Sequence, residues 1–75
     1  MERINRIIGS IFQCDGASLA DDATPETVEN WDSVTHIMVL SALEEELGVK
    51  FSDSQMERIN TIGELRAATA AQLPG

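Results

Sequence analysis

The sequence predicts a single all-α domain that covers residues 1–75. Apolar residues recur at the three- and four-residue spacing of a helix in several segments, and helix-capping patterns precede two of them. No segment alternates apolar and polar residues for long enough to predict a strand. The single cysteine excludes an internal disulfide and no Cys/His cluster predicts a zinc site, so regular helix packing is the expected source of stability.

The first predicted helix has a one-sided apolar face. The residues on that face are Ile4, Ile7, Ile8, Ile11 and Phe12. A polar stretch from about 13 to 32 then predicts a long loop with one short turn at Thr24-Pro25-Glu26. Its predicted anchors in the core are Leu19, Val28 and Trp31. Loops this long are unusual in small domains and are often functional.

The second predicted helix runs from about Ser33 to Leu47 and ends at Gly48. Either Asp32 or Ser33 is expected to cap its first turn. The predicted core-facing residues are Ile37, Leu40, Leu43 and Leu47.

Capping-box spacing predicts two more helix starts, Ser52 with Gln55 for a short helix and Thr61 with Glu64 for the last one. Pro74-Gly75 is expected to end the last helix. Its predicted inner face contains Ile62, Leu65, Thr69 and Leu73. The predicted fold is therefore a bundle of three main helices and one short helix, with a long first loop.

The charge of the chain limits its partners. The formal net charge is -8, and no Lys or Arg lies between Arg6 and Lys50. This acidity argues against nucleic acid as a partner and favours proteins with basic patches. The alternative is that the acidic surface only keeps the protein soluble.

No signal peptide and no run of roughly 20 apolar residues is present. We therefore expect a cytoplasmic monomer with no membrane partner, in which Cys14 is a packing residue.

Ser33 lies where the long loop meets the second predicted helix. A helix N-terminus presents unpaired amides and a partial positive charge, so a phosphate esterified to Ser33 would lie in a favourable field. The carboxylate of Asp32 partly opposes that field. The position alone is also that of an ordinary helix cap.

The residues after Ser33 favour the phosphate ester. Asp32-Ser33-Val34, the apolar residues that follow and the run ALEEELGV at 42–49 resemble the acyl carrier protein family. The resemblance has no gaps from about Trp31 to Thr61 and extends more loosely over the whole chain. It implies that a phosphopantetheinyl transferase attaches 4′-phosphopantetheine from coenzyme A to Ser33. The arm would then carry acyl or aminoacyl groups as thioesters to acyl-loading and acyl-processing enzymes, and the chain itself would be no enzyme.

Departures from the family pattern bear on the pathway. Val34 stands where the family most often has leucine, and Thr35 and Met38 occupy positions that are often acidic in carriers of fatty-acid synthesis. The resemblance therefore points to a polyketide, lipid or other specialised pathway at least as much as to fatty-acid synthesis. The predicted partner face comprises Asp32, Val34, Met38, Glu44 and Glu45. Two interpretations of Leu43, Leu47, Phe51, Ile59 and Leu65 remain open, as a pocket for the acyl chain or as plain core.

A hydrolase and an adaptor are the two other function classes to compare with a carrier. Asp32, Ser33 and His36 share a helix face, as the residues of a hydrolase triad would have to lie close together. So short a chain cannot also supply an oxyanion hole and a substrate cleft, which argues against a hydrolase. His36 is therefore predicted to be a helix-surface residue near the arm. An acidic helical adaptor with no prosthetic group is the alternative. A calcium-binding version of it fails because Ala23 and Pro25 stand where oxygen ligands are required.

Overall fold

The computed structural model describes residues 2–73, and over that range the chain forms four α-helices and one short 3-10 helix, with no strand. The helices are α1 (Glu2–Phe12), α2 (Ser33–Leu47), α3 (Asp53–Arg58) and α4 (Ile62–Ala70), and the 3-10 turn is Gly16–Ser18. This architecture confirms the all-α prediction of three main helices, one short helix and a long first loop. The 3-10 turn within that loop was not predicted.

The helix ends follow the capping patterns of the sequence. Ser52 and Gln55 form a reciprocal capping box at the start of α3, and the Thr61 side chain accepts from the Glu64 N–H at the start of α4. Gly48 ends α2 with a left-handed φ of 70°, which suits a residue without Cβ. α4 ends at Ala70, and the predicted stop at Pro74-Gly75 lies outside the described residues.

One apolar core joins α1, α2, α4 and the end of the long loop. The Phe12 and Trp31 rings pack within it, with centroids 5.4 Å apart. Both Val28 and Trp31 are buried as predicted, and Leu19 is half-buried against the core. The buried apolar residues are Ile4, Ile7, Ile8, Phe12, Val28, Trp31, Val39, Leu40, Leu43, Val49, Phe51, Ile59, Ile62 and Leu65.

The predicted core face of α2 was wrong at one position. Ile37 is 62% exposed, whereas Val39, which was not predicted in the core, is fully buried at 0%. Leu40 and Leu43 are buried as expected, and Leu47 is half-buried. Apolar residues lie around most of the circumference of α2, so spacing alone allows more than one choice of inner face.

Long-range hydrogen bonds fix the loop in front of α2. The Arg66 guanidinium in α4 donates to the carbonyl oxygens of Gly16 and Leu19, both at 2.8 Å, and to Asp21 Oδ1 at 2.6 Å. The Asn30 side chain donates to the Phe12 carbonyl oxygen at 2.7 Å, which ties the end of the loop to α1. The residues that lead into Ser33 are therefore held from both sides.

Cys14 is exposed, which contradicts its predicted role in packing. Gln13 before it adopts a left-handed φ of 58°, and the Cys14 N–H donates to the Gly9 carbonyl oxygen at 3.0 Å. This turn ends α1 and directs Cys14 away from the core. None of the helices described between residues 2 and 73 has the length and apolar character of a membrane-crossing segment.

Candidate functional site

Ser33 is the first residue of α2 and is exposed, but it is not the helix cap. Asp32 is the cap, since one of its carboxylate oxygens accepts from the N–H groups of Val34 and Thr35, both at 2.9 Å. In return, the Asp32 N–H donates to the Thr35 hydroxyl at 2.8 Å, and that hydroxyl donates to the Asn30 carbonyl oxygen at 2.6 Å. The cap is complete without Ser33, so its hydroxyl remains available at the surface.

The same hydrogen bonds set the charge state of the cap. The N–H of Thr35, together with that of Val34, lowers the pKa of the Asp32 carboxyl below its ordinary value of 3.8 and outweighs the opposing effect of desolvation. Asp32 is therefore a carboxylate at neutral pH. Because it already holds the two amides, the expectation that a phosphate on Ser33 would meet unpaired amides is wrong for Val34 and Thr35.

A cleft of about 590 Å³ opens beside Ser33, between the first half of α2, the end of the long loop and α3. Its walls are apolar at Trp31, Ile37, Met56 and Ile59, and its acidic groups are Asp32, Asp53 and Glu57. The lining residues are Pro25, Trp31, Asp32, Ser33, His36, Ile37, Asp53, Met56, Glu57, Ile59 and Asn60. Of the residues predicted to form a pocket or core, Ile59 lines this cleft, while Leu43, Phe51 and Leu65 are buried in the core.

His36 lines the cleft and is half-buried, which corrects its predicted place on the helix surface. Its Nδ1 accepts from the Trp31 indole N–H at 3.0 Å, and its Nε2 lies 2.8 Å from the Met56 carbonyl oxygen. Ser33 lies one helical turn earlier on the same wall. The sequence gives no sign of the contact with Met56, which lies 20 residues further along the chain.

Val34, Ile37 and Met38 form an exposed apolar patch on α2, next to Ser33. They are 64%, 62% and 47% exposed, and their i, i+3, i+4 spacing makes them neighbours on the helix surface. Val34 and Met38 were predicted at this face and Ile37 was missed. The i+3 relation of Ile37 to Val34 is the signal that could have placed it there.

The acidic residues of the predicted partner face differ in exposure. Asp32 and Glu45 are exposed. Glu44 is half-buried, and its carboxylate accepts from the Phe51 N–H at 2.9 Å, so it supports the chain between α2 and α3. A carboxylate engaged in this bond is a structural group.

Comparison with known proteins bears on what this site carries. Residues 2–68 match the family model described as "Phosphopantetheine attachment site". The fold is similar to a holo acyl carrier protein from Geobacter metallireducens, with a TM-score of 0.82 and 20% identity over 95% of this chain and 82% of that one. It is similar also to a putative acyl carrier protein from Mycobacterium tuberculosis, with a TM-score of 0.81 and 23% identity over 93% of each chain. No curated protein matches the chain.

The residues around Ser33 fit a covalently held arm of this kind. The Ser33 hydroxyl is exposed and lies outside the helix cap, and a cleft with apolar walls begins beside it. An ester at this hydroxyl would leave the bonds of Asp32 to the first turn intact. Since the family model matches nearly the whole chain, the chain belongs to the phosphopantetheine-attachment family, whose members carry 4′-phosphopantetheine covalently, and its fold is that of acyl carrier proteins.

Proposed function

We propose that Ser33 is the residue that carries the 4′-phosphopantetheine arm, and that the chain delivers acyl or aminoacyl groups to the enzymes of a biosynthetic pathway. The observation behind this proposal is that Asp32 alone caps the helix, which leaves the Ser33 hydroxyl exposed beside a cleft. The family match describes an attachment site and supports a nucleophilic hydroxyl at such a position.

The attachment step requires little of the carrier beyond access. The Ser33 oxygen would form a bond to the phosphorus of 4′-phosphopantetheine, while the pyrophosphate bond of coenzyme A breaks and adenosine 3′,5′-bisphosphate leaves. A phosphopantetheinyl transferase would accept the hydroxyl proton and supply magnesium. When bound, the arm supplies a thiol on which acyl groups are held as thioesters. Trp31, Met56 and Ile59 would exclude water from any part of the arm that lies in the cleft.

The docking surface of the carrier is assigned to the apolar patch, flanked by Asp32 and Glu45. An apolar centre with an acidic rim suits enzymes whose docking sites combine an apolar contact with basic residues. The net charge of -8 would speed the encounter with them. Glu44, predicted at this surface, is left out because its carboxylate is engaged by Phe51.

The apolar patch also supports a specialised pathway. Thr35 is half-buried and bonded within the cap, and Met38 is exposed, so the first turns of α2 present little charge after Asp32. Partners that recognise this carrier would therefore need an apolar contact next to the attachment serine. We propose a polyketide, lipid or other specialised pathway at least as much as general fatty-acid synthesis.

Intact mass spectrometry tests the attachment residue. After incubation with coenzyme A, magnesium and a broad-specificity phosphopantetheinyl transferase, the chain is expected to gain one phosphopantetheine. Ser33→Ala should gain none, and Ser41→Ala, an exposed serine of the same helix, should be modified like the parent chain. A mass that stays unchanged with several transferases, or a Ser33→Ala chain that is still modified, would contradict the proposal.

The adaptor without a prosthetic group is distinguished by the same experiment. An adaptor requires no attachment, and its partners would bind the unmodified and Ser33→Ala chains equally. The match to a phosphopantetheine-attachment family argues against it.

A further inference from the structure

The long loop contains a hydrogen-bonded turn at residues 24–28, the loop turn. The Thr24 N–H donates to the Thr27 hydroxyl at 2.9 Å, and that hydroxyl donates to the Thr24 carbonyl oxygen at 3.1 Å. The Val28 N–H donates to the same carbonyl oxygen at 2.9 Å, and the Val28 side chain is buried in the core. The backbone of the loop turn is therefore fixed by its own bonds and by one core contact.

The loop turn is also tied to helices on both sides. Before it, the Ile62 N–H of α4 donates to the Ala23 carbonyl oxygen at 3.0 Å. After it, the Asn30 carbonyl oxygen accepts from the Thr35 hydroxyl of α2 at 2.6 Å. The residues between these anchors keep a constant position relative to the start of α2. Surface groups that are already ordered lose little conformational entropy when a partner docks.

Glu26 and Glu29 are the acidic residues of this segment, and both are exposed. Glu26 directly follows Pro25, and Glu29 lies two residues before Trp31. Pro25 and Trp31 line the cleft together with Ser33. The ion pairs in the described part of the chain involve other residues. The two glutamates are therefore available beside the loop wall of the cleft.

The charge around the cleft is acidic on more than one wall. The α3 wall contributes Asp53 and Glu57, and the loop has no Lys or Arg that would offset its glutamates. The apolar patch on α2 follows Ser33 directly in the chain. An apolar centre with a charged border is typical of a protein-docking surface, in which the border charges speed association and select partners.

We propose that Glu26 and Glu29 form the loop side of the docking surface, and that enzymes acting at Ser33 present Lys or Arg side chains to them beside the active-site entrance. Such an enzyme would contact the residues before the attachment serine as well as the patch after it. The inference rests on the proposed function, because this surface serves delivery only if Ser33 carries the arm. It adds two residues to the surface formed by the apolar patch, Asp32 and Glu45.

Charge reversal tests this surface through the rate of phosphopantetheine attachment. The probe is a phosphopantetheinyl transferase with basic side chains around its active-site entrance. Glu26→Lys and Glu29→Lys should each lower kcat/KM for the carrier by about five- to tenfold, through KM rather than kcat. Glu46→Lys is the matched control, since Glu46 is exposed on α2 but lies about 20 Å along the helix from Ser33. It changes the net charge by the same amount and should be modified almost like the parent chain.

Salt dependence and melting complete the test. The losses in kcat/KM should shrink between about 0.05 M and about 0.5 M salt, because salt screens exposed charges. The variants should melt like the parent chain, since both side chains are exposed. If a lysine variant melts at a lower temperature, Glu26→Gln, which only removes the charge, takes its place and should show a smaller loss.

The outcomes separate this inference from the proposed function. A parent chain that gains no phosphopantetheine contradicts attachment at Ser33, and the inference falls with it. If the parent chain is modified but Glu26→Lys and Glu29→Lys lose no more than Glu46→Lys, the inference alone is overturned. Losses that stay the same at high salt overturn it too, because they would not be electrostatic.

Discussion

Asp32 and Ser33 differ in what their side chains do at the start of α2. Asp32 holds the first turn through two backbone amides, and Ser33 presents its hydroxyl to solvent. Had Ser33 been the cap, its oxygen would have been engaged by those amides, and attachment would have broken the helix start. The order Asp then Ser therefore lets a covalent group be added without loss of the cap.

The charge on Asp32 makes this cap dependent on pH. Its pKa is lowered in the folded chain, so its contribution to stability is complete above the ordinary value of 3.8 and is lost as pH falls through the folded pKa. Asp32→Asn keeps a capping oxygen without the charge. The parent chain should be more stable than this variant at neutral pH, and the difference should vanish in acid. Urea unfolding of both chains from about pH 7 to about pH 3 measures it, and a difference independent of pH would contradict the assignment.

Glu44 and Glu45 differ in role although they are adjacent. Glu44→Lys should lower the free energy of unfolding by about 1–2 kcal/mol, because the Phe51 N–H loses its acceptor. Glu45→Lys should change stability by less than about 0.5 kcal/mol and should slow modification by a transferase that has a basic docking patch. Thermal unfolding together with modification rates tests both. Equal stability of the two variants would show that Glu44 is free, and Glu44→Gln, which keeps the acceptor, should resemble the parent chain.

At the scale of the element, α2 shows what spacing can and cannot predict. Its two ends were predicted because Asp32-Ser33 and Gly48 are local signals of helix start and stop. The spacing alone did not decide which face of α2 is buried, because apolar residues surround the helix. The residues that cover its buried face are distant in sequence. Ile37 was thus expected in the core, and Val39 is there instead. Ser33 could be proposed as the attachment residue from its local motif, whereas the exposed patch could be identified only from the packed structure.

Ile37 and Leu40 give a direct test of which face of α2 is inside. Ile37→Ser should change the free energy of unfolding by less than about 0.5 kcal/mol, because the side chain is 62% exposed. Leu40→Ala should cost about 2–5 kcal/mol, since Leu40 is 1% exposed within the core. Chemical denaturation provides the measurement. If Ile37→Ser were as destabilising as Leu40→Ala, the orientation of α2 would be wrong.

At the scale of the whole molecule, the long first loop is held by residues far from it in sequence. Arg66 in α4 reaches Asn5, Gly16, Leu19 and Asp21, and its side chain is only 11% exposed. No local pattern around residue 66 identifies these partners, so the loop was predicted only as a length with three anchors. The loop in turn places Trp31 against the cleft.

Removal of the Arg66 guanidinium should therefore loosen the site as well as the fold. Arg66→Met keeps the apolar stem but leaves the Leu19 carbonyl oxygen without a donor and the Gly16 carbonyl oxygen with only the Leu19 N–H. We expect a loss of about 3 kcal/mol of unfolding free energy. Arg58→Met, at the exposed end of α3, is the control and should be nearly neutral. Hydrogen exchange should also become faster in the loop. Unchanged melting of Arg66→Met would show that Leu19 and its neighbours are held by packing alone.

The position of Trp31 has a practical consequence for following the carrier at work. It is the chain's one tryptophan, and there is no tyrosine. Trp31 is 3% exposed and lines the cleft two residues before Ser33. Indole fluorescence is sensitive to hydrogen bonding and to the polarity around the ring, so emission from this protein originates at the cleft and nowhere else in the chain. If Ser33 carries the arm, its addition is expected to change this emission, which stopped-flow fluorescence would follow in real time without a dye or a label.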